Sequence, residues 1–193
     1  MSEKLADKLA LYLVRLRLVE ESKTELYSYA INYLLLLIIP VFIFATFCII
    51  SHNILLGFVE IISFLLIRKY SGGYHFDSSS ICLIFSSFSL IAMALLSGII
   101  RPSLYIIIIL ALCDTELLII GPVISVKHSV SDIEKQHYHR YMNIILLICN
   151  IFFIILSVLQ IYRLANCIAI VIIVVSLSHI ICLFGKNKEL YYR

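Results

Sequence analysis

The chain has 193 residues, of which 62% are hydrophobic and only 14% are charged, with a formal net charge of +3 and a mean hydropathy of +1.06. A soluble domain has about a quarter of its residues charged, so this composition excludes a water-soluble enzyme and indicates an integral membrane protein. Residues 1–25 alternate charged and apolar side chains instead of forming a basic tip and an apolar core, so we expect no cleavable signal peptide.

Residues 2–25 are the first predicted element, an amphipathic helix at the membrane surface. Apolar residues recur on one face at the helical period, and basic residues beside them suit anionic lipid headgroups. The face consists of Leu5, Leu9, Tyr12, Leu13 and Leu16, flanked by Lys4, Lys8 and Arg15. Two roles remain open: a plain membrane anchor, or a helix that docks the substrate or a second protomer.

Six apolar runs follow, and each is predicted to be a membrane-spanning helix. The fold class is therefore an all-α polytopic membrane protein, with a transmembrane bundle over residues 31–184 and a tail over residues 185–193. We expect residues 1–193 to form a single domain. The predicted spans are residues 31–50, 54–67, 81–100, 104–124, 142–161 and 164–184.

This arrangement separates the basic residues between the two sides of the membrane. The N-terminus, residues 68–80, the loop over residues 125–140 and the tail share one side, which holds 13 of the 15 Lys and Arg residues. The positive-inside rule places that side in the cytoplasm. His137 and His139 have no carboxylate or thiol at ligand spacing, so a solvated basic loop is favoured over a metal site. No metal or other cofactor is expected.

Three acidic residues fall inside predicted spans, where an exposed charge is costly. Glu60 lies in the second span, and Asp114 and Glu116 lie near the middle of the fourth. One interpretation is a protein-facing polar site that accommodates a peptide or pairs with a buried cation. The other is an interrupted helix whose acids reach water.

Cys82 differs from the other five cysteines because polar residues precede it. The others lie within or at the ends of apolar runs, where a thiol behaves as a small hydrophobe. The absence of a CxxC pair argues against a redox motif or a thiolate zinc site. These five residues are Cys48, Cys113, Cys149, Cys167 and Cys182.

The polar stretch over residues 68–82 interrupts two apolar runs and contains His75 and Cys82. A neutral imidazole can take the proton of a thiol and leave a thiolate nucleophile for acyl transfer. A continuous helix would separate the two Cα atoms by about 10.5 Å, which is too far for a hydrogen bond. The pair therefore requires a non-helical segment, and Gly72 and Gly73 allow the chain to turn. On spacing alone, the alternative is a loop histidine and a cysteine with no joint role.

Cys82 follows three serines, Ser78, Ser79 and Ser80, which are candidates for the N-cap of the third span. A helix start stabilises a thiolate and offers amide donors to an oxyanion. Asp77 has two open roles, orienting the imidazole or capping the helix. Arg68 and the neighbouring lysine either bind a peptide carboxylate or extend to the membrane surface.

The pattern Arg68-x4-Gly73-x-His75-x6-Cys82, at the start of the third span of a small six-span protein, resembles the AgrB family. Members of that family are membrane cysteine endopeptidases that process the quorum-sensing pro-peptide AgrD in Gram-positive bacteria. The similarity extends over almost the whole chain in length and topology, including Pro122, and its specific part is residues 68–82.

The resemblance implies that Cys82 is the nucleophile and His75 its base, with Arg68 and Gly73 as the other motif positions. The peptide would be cleaved after the future signal and held as a thioester, and a Cys or Ser of the peptide would then close a thiolactone or lactone ring. We expect Arg68, Gly73, Asp77, Ser79, Asp114 and Glu116 to bind the substrate or support the site.

The same resemblance implies an AgrD-like pro-peptide as partner, a multi-pass location in the cell membrane with lipid contacts, an active site at the cytoplasmic face and, as one alternative, a homodimer. No nucleic-acid partner is expected, and no nucleotide motif implies ATP. The chain departs from the pattern at Phe76-Asp77 and at Ser129-Val130, where small residues and a proline are expected.

Two other classes of function stay open. The acids inside the spans favour a peptide-binding transporter, in which Cys82 would be dispensable. A non-catalytic membrane scaffold would need neither the acids nor Cys82.

Overall fold

The computed structural model describes residues 2–74, 76, 78–100, 103–125, 131–184 and 191–192. The predicted all-α fold class is confirmed, since these residues form seven α-helices. Beside them are a 3-10 turn at Glu21–Lys23 and a short antiparallel pair of strands, β1 (Ile124–Ser125) with β2 (Tyr191–Tyr192). The helices are α1 (Ser2–Arg15), α2 (Thr24–Ile50), α3 (Ile54–Ser71), α4 (Ser79–Ile99), α5 (Leu104–Ile120), α6 (Asp132–Val158) and α7 (Tyr162–Phe184).

Within the described ranges, four helical segments are long and apolar enough to cross a membrane: Glu21–Ile50, Ser79–Ile99, Ile133–Val158 and Tyr162–Leu183. The predicted number of six spans is not confirmed. Two of the six predicted spans correspond to helices that fall short of this criterion. They are α3, which has 18 residues and includes three charged ones, and α5, which has 17 residues. At 1.5 Å per residue they reach about 27 and 26 Å, slightly less than the ~30 Å hydrocarbon core.

Large apolar side chains face outward along the spanning helices, as expected where lipid rather than water is the solvent. Phe42 of α2, Phe88 of α4 and Val158 of α6 are each about 70% exposed or more. A soluble protein rarely exposes apolar surface on this scale. The chain is therefore a multi-pass membrane protein.

The helices fall into two compact units, and the first comprises residues 1–52 and 75–91. Here α1 packs along α2, and the small side chains of Ala6 and Ala10 are completely buried. The Ser28 hydroxyl of α2 donates a hydrogen bond to the Asp7 carboxylate. The predicted helix over residues 2–25 is shorter in the structure, where α1 ends at Arg15.

The leucine face of α1 points away from α2. Leu5, Leu9 and Leu16 are 40–50% exposed, so contact with lipid and docking of the substrate or a second protomer both stay open for this face. Alanines occupy the contact instead because they let the two helix axes approach closely.

The second unit comprises residues 53–74 and 92–193, and α7 is its central helix. This helix packs against α3, α5 and α6, and residues 165–172 are buried throughout. The surrounding apolar core includes Ile67, Leu117, Met142, Leu146, Val171 and Ile172.

The predicted loop over residues 125–140 is partly wrong, because α6 begins at Asp132 and residues 132–140 are helical. A capping box starts the helix: the Glu134 amide donates to the Ser131 hydroxyl (3.3 Å), and the Ser131 amide donates to the Glu134 carboxylate (3.0 Å). The part of the loop over residues 126–130, and most of the predicted tail, lie outside the described residues.

Candidate active site

The chain between α3 and α4 provides the required non-helical segment. The helix α3 ends at Ser71 and α4 begins at Ser79, and none of the described residues between them is helical. Cys82 closes the first turn of α4, where its amide donates to the Ser78 carbonyl at 3.0 Å. Its thiol is reduced and partly exposed. A single straight helix therefore does not separate positions 75 and 82.

Phe76 lies close to the helix that carries Cys82. The rings of Phe76 and Phe85 pack with their centroids 5.1 Å apart. Because Cys82 and Phe85 are three residues apart on α4, their side chains share one face of the helix. His75 and Asp77 lie outside the described residues, so the predicted roles of both stay predictions.

Ser79 is the first residue of α4, so Ser78 rather than Ser79 precedes the helix. The Ser79 hydroxyl accepts a hydrogen bond from the Asn32 amide group of α2 at 3.4 Å. This contact joins the start of α4 to α2 within the first unit. Sequence reasoning did not single out Asn32, since an asparagine near a span end has many possible partners.

In the second unit, Arg68 holds the backbone that follows α3. Its Nη1 donates to the Ser178 hydroxyl of α7 at 2.6 Å, and its Nη2 donates to the carbonyl of Tyr74. The Tyr74 amide also donates to the Ser178 hydroxyl, at 3.1 Å. We name these three residues the Arg68 clamp.

Gly73 leaves room for the Arg68 clamp. A Cβ atom at this position would lie 1.7 Å from Arg68 Nη1 and 2.9 Å from Ser178 Oγ. Its φ of +141° is also a conformation that other residues rarely adopt. The two motif positions Arg68 and Gly73 thus meet in space, and each requires the other.

A second contact fixes Gly72. The amide of Val123 donates to the Ser71 carbonyl at 2.9 Å, and a Cβ on Gly72 would lie 2.0 Å from the Val123 carbonyl oxygen. The segment that follows α5 therefore packs directly against the end of α3.

Glu116 points into the second unit and bonds to α7. Its carboxylate accepts from the Ser176 hydroxyl at 2.8 Å and lies 2.6 Å from His179 Nδ1. The other ring nitrogen, Nε2, lies 2.9 Å from the Gly121 carbonyl oxygen, which can only accept, so Nε2 carries a hydrogen. These bonds join α5 to α7, and the sequence did not identify Ser176 or His179 as the partners of Glu116.

The other two acids lie within the same unit, where Glu60 is buried and Asp114 is partly buried. Glu60 is completely buried and accepts a weak hydrogen bond from the Cys167 thiol at 3.7 Å. Asp114 has one carboxylate oxygen inaccessible to solvent and without a hydrogen-bond partner in the described chain. Among the described residues, no group of three His, Cys, Asp or Glu side chains is arranged to hold a metal ion.

A cleft of about 340 Å³ opens between the last turn of α3 and the first turns of α6. Tyr70 contacts both Tyr138 and Tyr141, with ring centroids 5.8 and 5.4 Å apart. The Lys69 ammonium lies 5.1 Å from the centre of the Tyr70 ring. The lining residues are Lys69, Tyr70, Glu134, His137, Tyr138 and Tyr141.

The family model of AgrB, accessory gene regulator B, matches residues 2–183. The chain belongs to the AgrB family. Neither a curated protein nor a solved structure matches it. Membership assigns this AgrB protein a role in agr quorum sensing, as a peptidase-like processing protein with an AgrD-type pro-peptide as its partner.

Proposed function

We propose that this AgrB protein is a membrane-embedded cysteine endopeptidase in which Cys82 is the nucleophile and His75 its base. The packing of Phe76 on Phe85 carries this proposal. It brings Phe76, the residue next to His75 in the chain, into contact with the helix face that bears Cys82. A thiol at a helix start, with an imidazole in reach, is a known route to a reactive thiolate.

In the first step, His75 takes the thiol proton and the Cys82 sulfur attacks the scissile carbonyl carbon. The first amide N–H groups of α4 lack intrahelical carbonyl partners by helix geometry, and they offer donors for the oxyanion. The C–N bond then breaks, and the His75 imidazolium gives its proton to the leaving amine. The products are a free C-terminal peptide and an N-terminal peptide held as a thioester on Cys82.

In the second step, a Cys thiol or Ser hydroxyl within the bound peptide attacks the thioester carbonyl. The Cys82 thiol leaves with the proton of the attacking group, and a thiolactone or lactone forms. The acyl-enzyme and a thiolactone are both thioesters, so ring closure by a thiol exchanges one thioester for another, is near thermoneutral and needs no ATP. Water must be kept from the acyl-enzyme, which a site at the membrane boundary favours.

The other predicted site residues divide by what they contact. Arg68 and Gly73 support the chain that leads to His75, and Glu116 supports α7. We place the site at the cytoplasmic face, because the Lys and Arg residues lie predominantly on that side in the predicted topology. The cleft between α3 and α6, lined by Tyr70, Tyr138 and Tyr141, is the candidate for holding a side chain of the pro-peptide, because its volume falls in the range of ligand pockets. The two roles of Asp77, orienting the imidazole or capping α4, stay open, and a homodimer and Gram-positive origin rest on the family resemblance.

The deciding experiment reconstitutes the full chain in liposomes with an AgrD-type pro-peptide encoded beside its gene. Wild type should cleave the peptide and accumulate a covalent adduct that hydroxylamine releases. Cys82→Ala should form neither product nor adduct. The matched control is Cys113→Ala, because Cys113 is also a reduced and partly exposed cysteine, and it should behave as wild type.

The same experiment separates the rival functions. A transporter would take up the peptide without cleaving it. Its uptake would be lost on replacement of Glu60 or Asp114 and retained in Cys82→Ala. If none of these three replacements changes peptide uptake or cleavage, the protein is a scaffold.

A further inference from the structure

We propose that Ser178 of α7 is a positioning residue for peptide cleavage. Through the Arg68 clamp, its hydroxyl fixes the backbone of Tyr74, from which the chain continues directly into His75. This inference rests on the proposed function, since it concerns how the base of that reaction is held.

The Arg68 clamp holds both backbone groups of Tyr74. Its amide donates to Ser178 Oγ at 3.1 Å, and its carbonyl accepts from Arg68 Nη2. Arg68 Nη1 closes the ring by donating to the same Ser178 oxygen at 2.6 Å. With the peptide groups on both sides of its Cα held, Tyr74 has little freedom in φ and ψ. The Arg68 clamp therefore restrains the residue that immediately precedes position 75 in the chain.

The side chain of Tyr74 adds a third restraint. It packs against a small apolar cluster in the same unit, so backbone and ring are both held. The cluster consists of Val123, Cys182 and Leu183.

The hydroxyl of Ser178 is needed because it accepts two hydrogen bonds at once. A hydroxyl oxygen has two lone pairs, and here they receive a guanidinium donor and a backbone amide. Ser157 of α6 shows the other common use, since its hydroxyl donates to the Phe153 carbonyl of its own helix at 2.7 Å. Alanine at position 178 would remove the shared acceptor from both donors, whereas threonine would retain it.

This arrangement gives Arg68 a role beside the two expected ones, which were binding a peptide carboxylate and extending to the membrane surface. Its guanidinium bridges α7 and the Tyr74 carbonyl, so it acts on cleavage through the fold. Lysine cannot reproduce the planar fork that reaches two separate oxygens.

The test compares Ser178→Ala, Ser178→Thr and the control Ser157→Ala in the reconstituted full chain. The first readout is kcat and KM for cleavage of the AgrD-type pro-peptide. The second needs no substrate: it is the ratio of Cys82 alkylation rates by iodoacetamide at pH 7 and pH 9, followed by site-resolved mass spectrometry. A base close to the Cys82 thiol favours the thiolate at pH 7, so the rate at pH 7 stays close to the rate at pH 9 and the ratio is high. Good packing alone, without such a base, does not raise the ratio.

We expect Ser178→Ala to lower kcat about 10- to 100-fold, because small displacements of a catalytic group have effects of this order, with KM unchanged within about twofold. The alkylation ratio should fall together with kcat. Ser178→Thr should restore both quantities to within about threefold of wild type, and Ser157→Ala should change neither.

If Ser178→Ala has the same kcat and the same alkylation ratio as the wild type, the inference is overturned. Equal losses in Ser178→Ala and Ser178→Thr would also overturn it, because packing and not the hydroxyl would then matter. Cleavage by Cys82→Ala would instead refute the proposed function, and the alkylation ratio would still decide whether Ser178 governs the environment of the Cys82 thiol.

Discussion

Replacing Gly73 with alanine should disable the protein although it adds only one methyl group. The new Cβ would lie 1.7 Å from Arg68 Nη1 and 2.6 Å from its Cζ. The guanidinium is the end of a flexible side chain and can move away, but only by leaving both Ser178 and the Tyr74 carbonyl. The φ of +141° at this position adds backbone strain for any residue with a Cβ.

The magnitude follows from the two hydrogen bonds that would be lost. A hydrogen bond to a charged group contributes about 1.5–3 kcal/mol, so the upper limit for the pair is about 6 kcal/mol. Arg68 is half-buried and water would replace part of this, so we expect about 3 kcal/mol. At 1.4 kcal/mol for each factor of ten, the clamped conformation would become about 100-fold less populated.

The assay is the rate of acyl-enzyme formation by Gly73→Ala in liposomes, together with its thermal midpoint. Gly98→Ala is the matched control, because a Cβ on that helical glycine of α4 would come no closer than 3.4 Å to Arg163 Nε. Alanine is a better helix former by up to about 1 kcal/mol, so the control should be neutral or slightly more stable. A wild-type rate and midpoint in Gly73→Ala would refute the reasoning.

Three further predictions concern other parts of the chain. Cys82→Ser should keep the fold but form its acyl-enzyme at least ~100-fold more slowly in a single-turnover assay, because a hydroxyl is much harder to deprotonate than a thiol. An unchanged rate would exclude Cys82 as the nucleophile. Glu116→Gln should lower the free energy of unfolding by about 1.5–3 kcal/mol through its weakened bond to His179, while cleavage continues; loss of the adduct as complete as in Cys82→Ala would contradict a structural role. In a chain whose native cysteines are replaced, Gln136→Cys should react with an impermeant thiol reagent only from the cytoplasmic side and Gln160→Cys only from outside; labelling of both from one side would show that α6 does not cross the membrane.

The helix boundaries were predictable where short-range chemistry determines them. The polar turn over residues 51–53 separates α2 from α3, and the serines before Cys82 mark the start of α4 within one residue. These signals act over one helical turn, so a single sequence contains all of the information.

The start of α6 was missed for a physical reason. Residues 131–140 are rich in charged and polar side chains, so their composition resembles a loop. The capping box between Ser131 and Glu134 was the available signal, because it satisfies amide donors at the helix start whatever the polarity of the following turns. Hydropathy detects the part of a helix inside lipid and misses the part that continues beyond it.

The partners within the candidate site could not be predicted from the sequence. Ser178 is 110 residues from Arg68, and a serine inside an apolar run gives no sign of its partner. The same holds for Glu116, whose depth in a predicted span suggested a polar cavity, and whose contact with His179 depends on how α5 and α7 pack.

The polar residues of α7 explain how such partners are selected in a membrane. Apolar surface gives little preference between helix neighbours when lipid is as apolar as the side chains, so polar groups and close packing must determine the register. Cys167 bonds to Glu60 of α3 and His179 to Glu116 of α5, while Ser178 reaches the end of α3. A rotation of α7 by one residue would separate all three contacts and leave Glu60 and Glu116 without their partners on α7. One of these contacts, that of Ser178, also holds the chain that leads to His75, so the packing of α7 and peptide cleavage share that hydrogen-bonded residue.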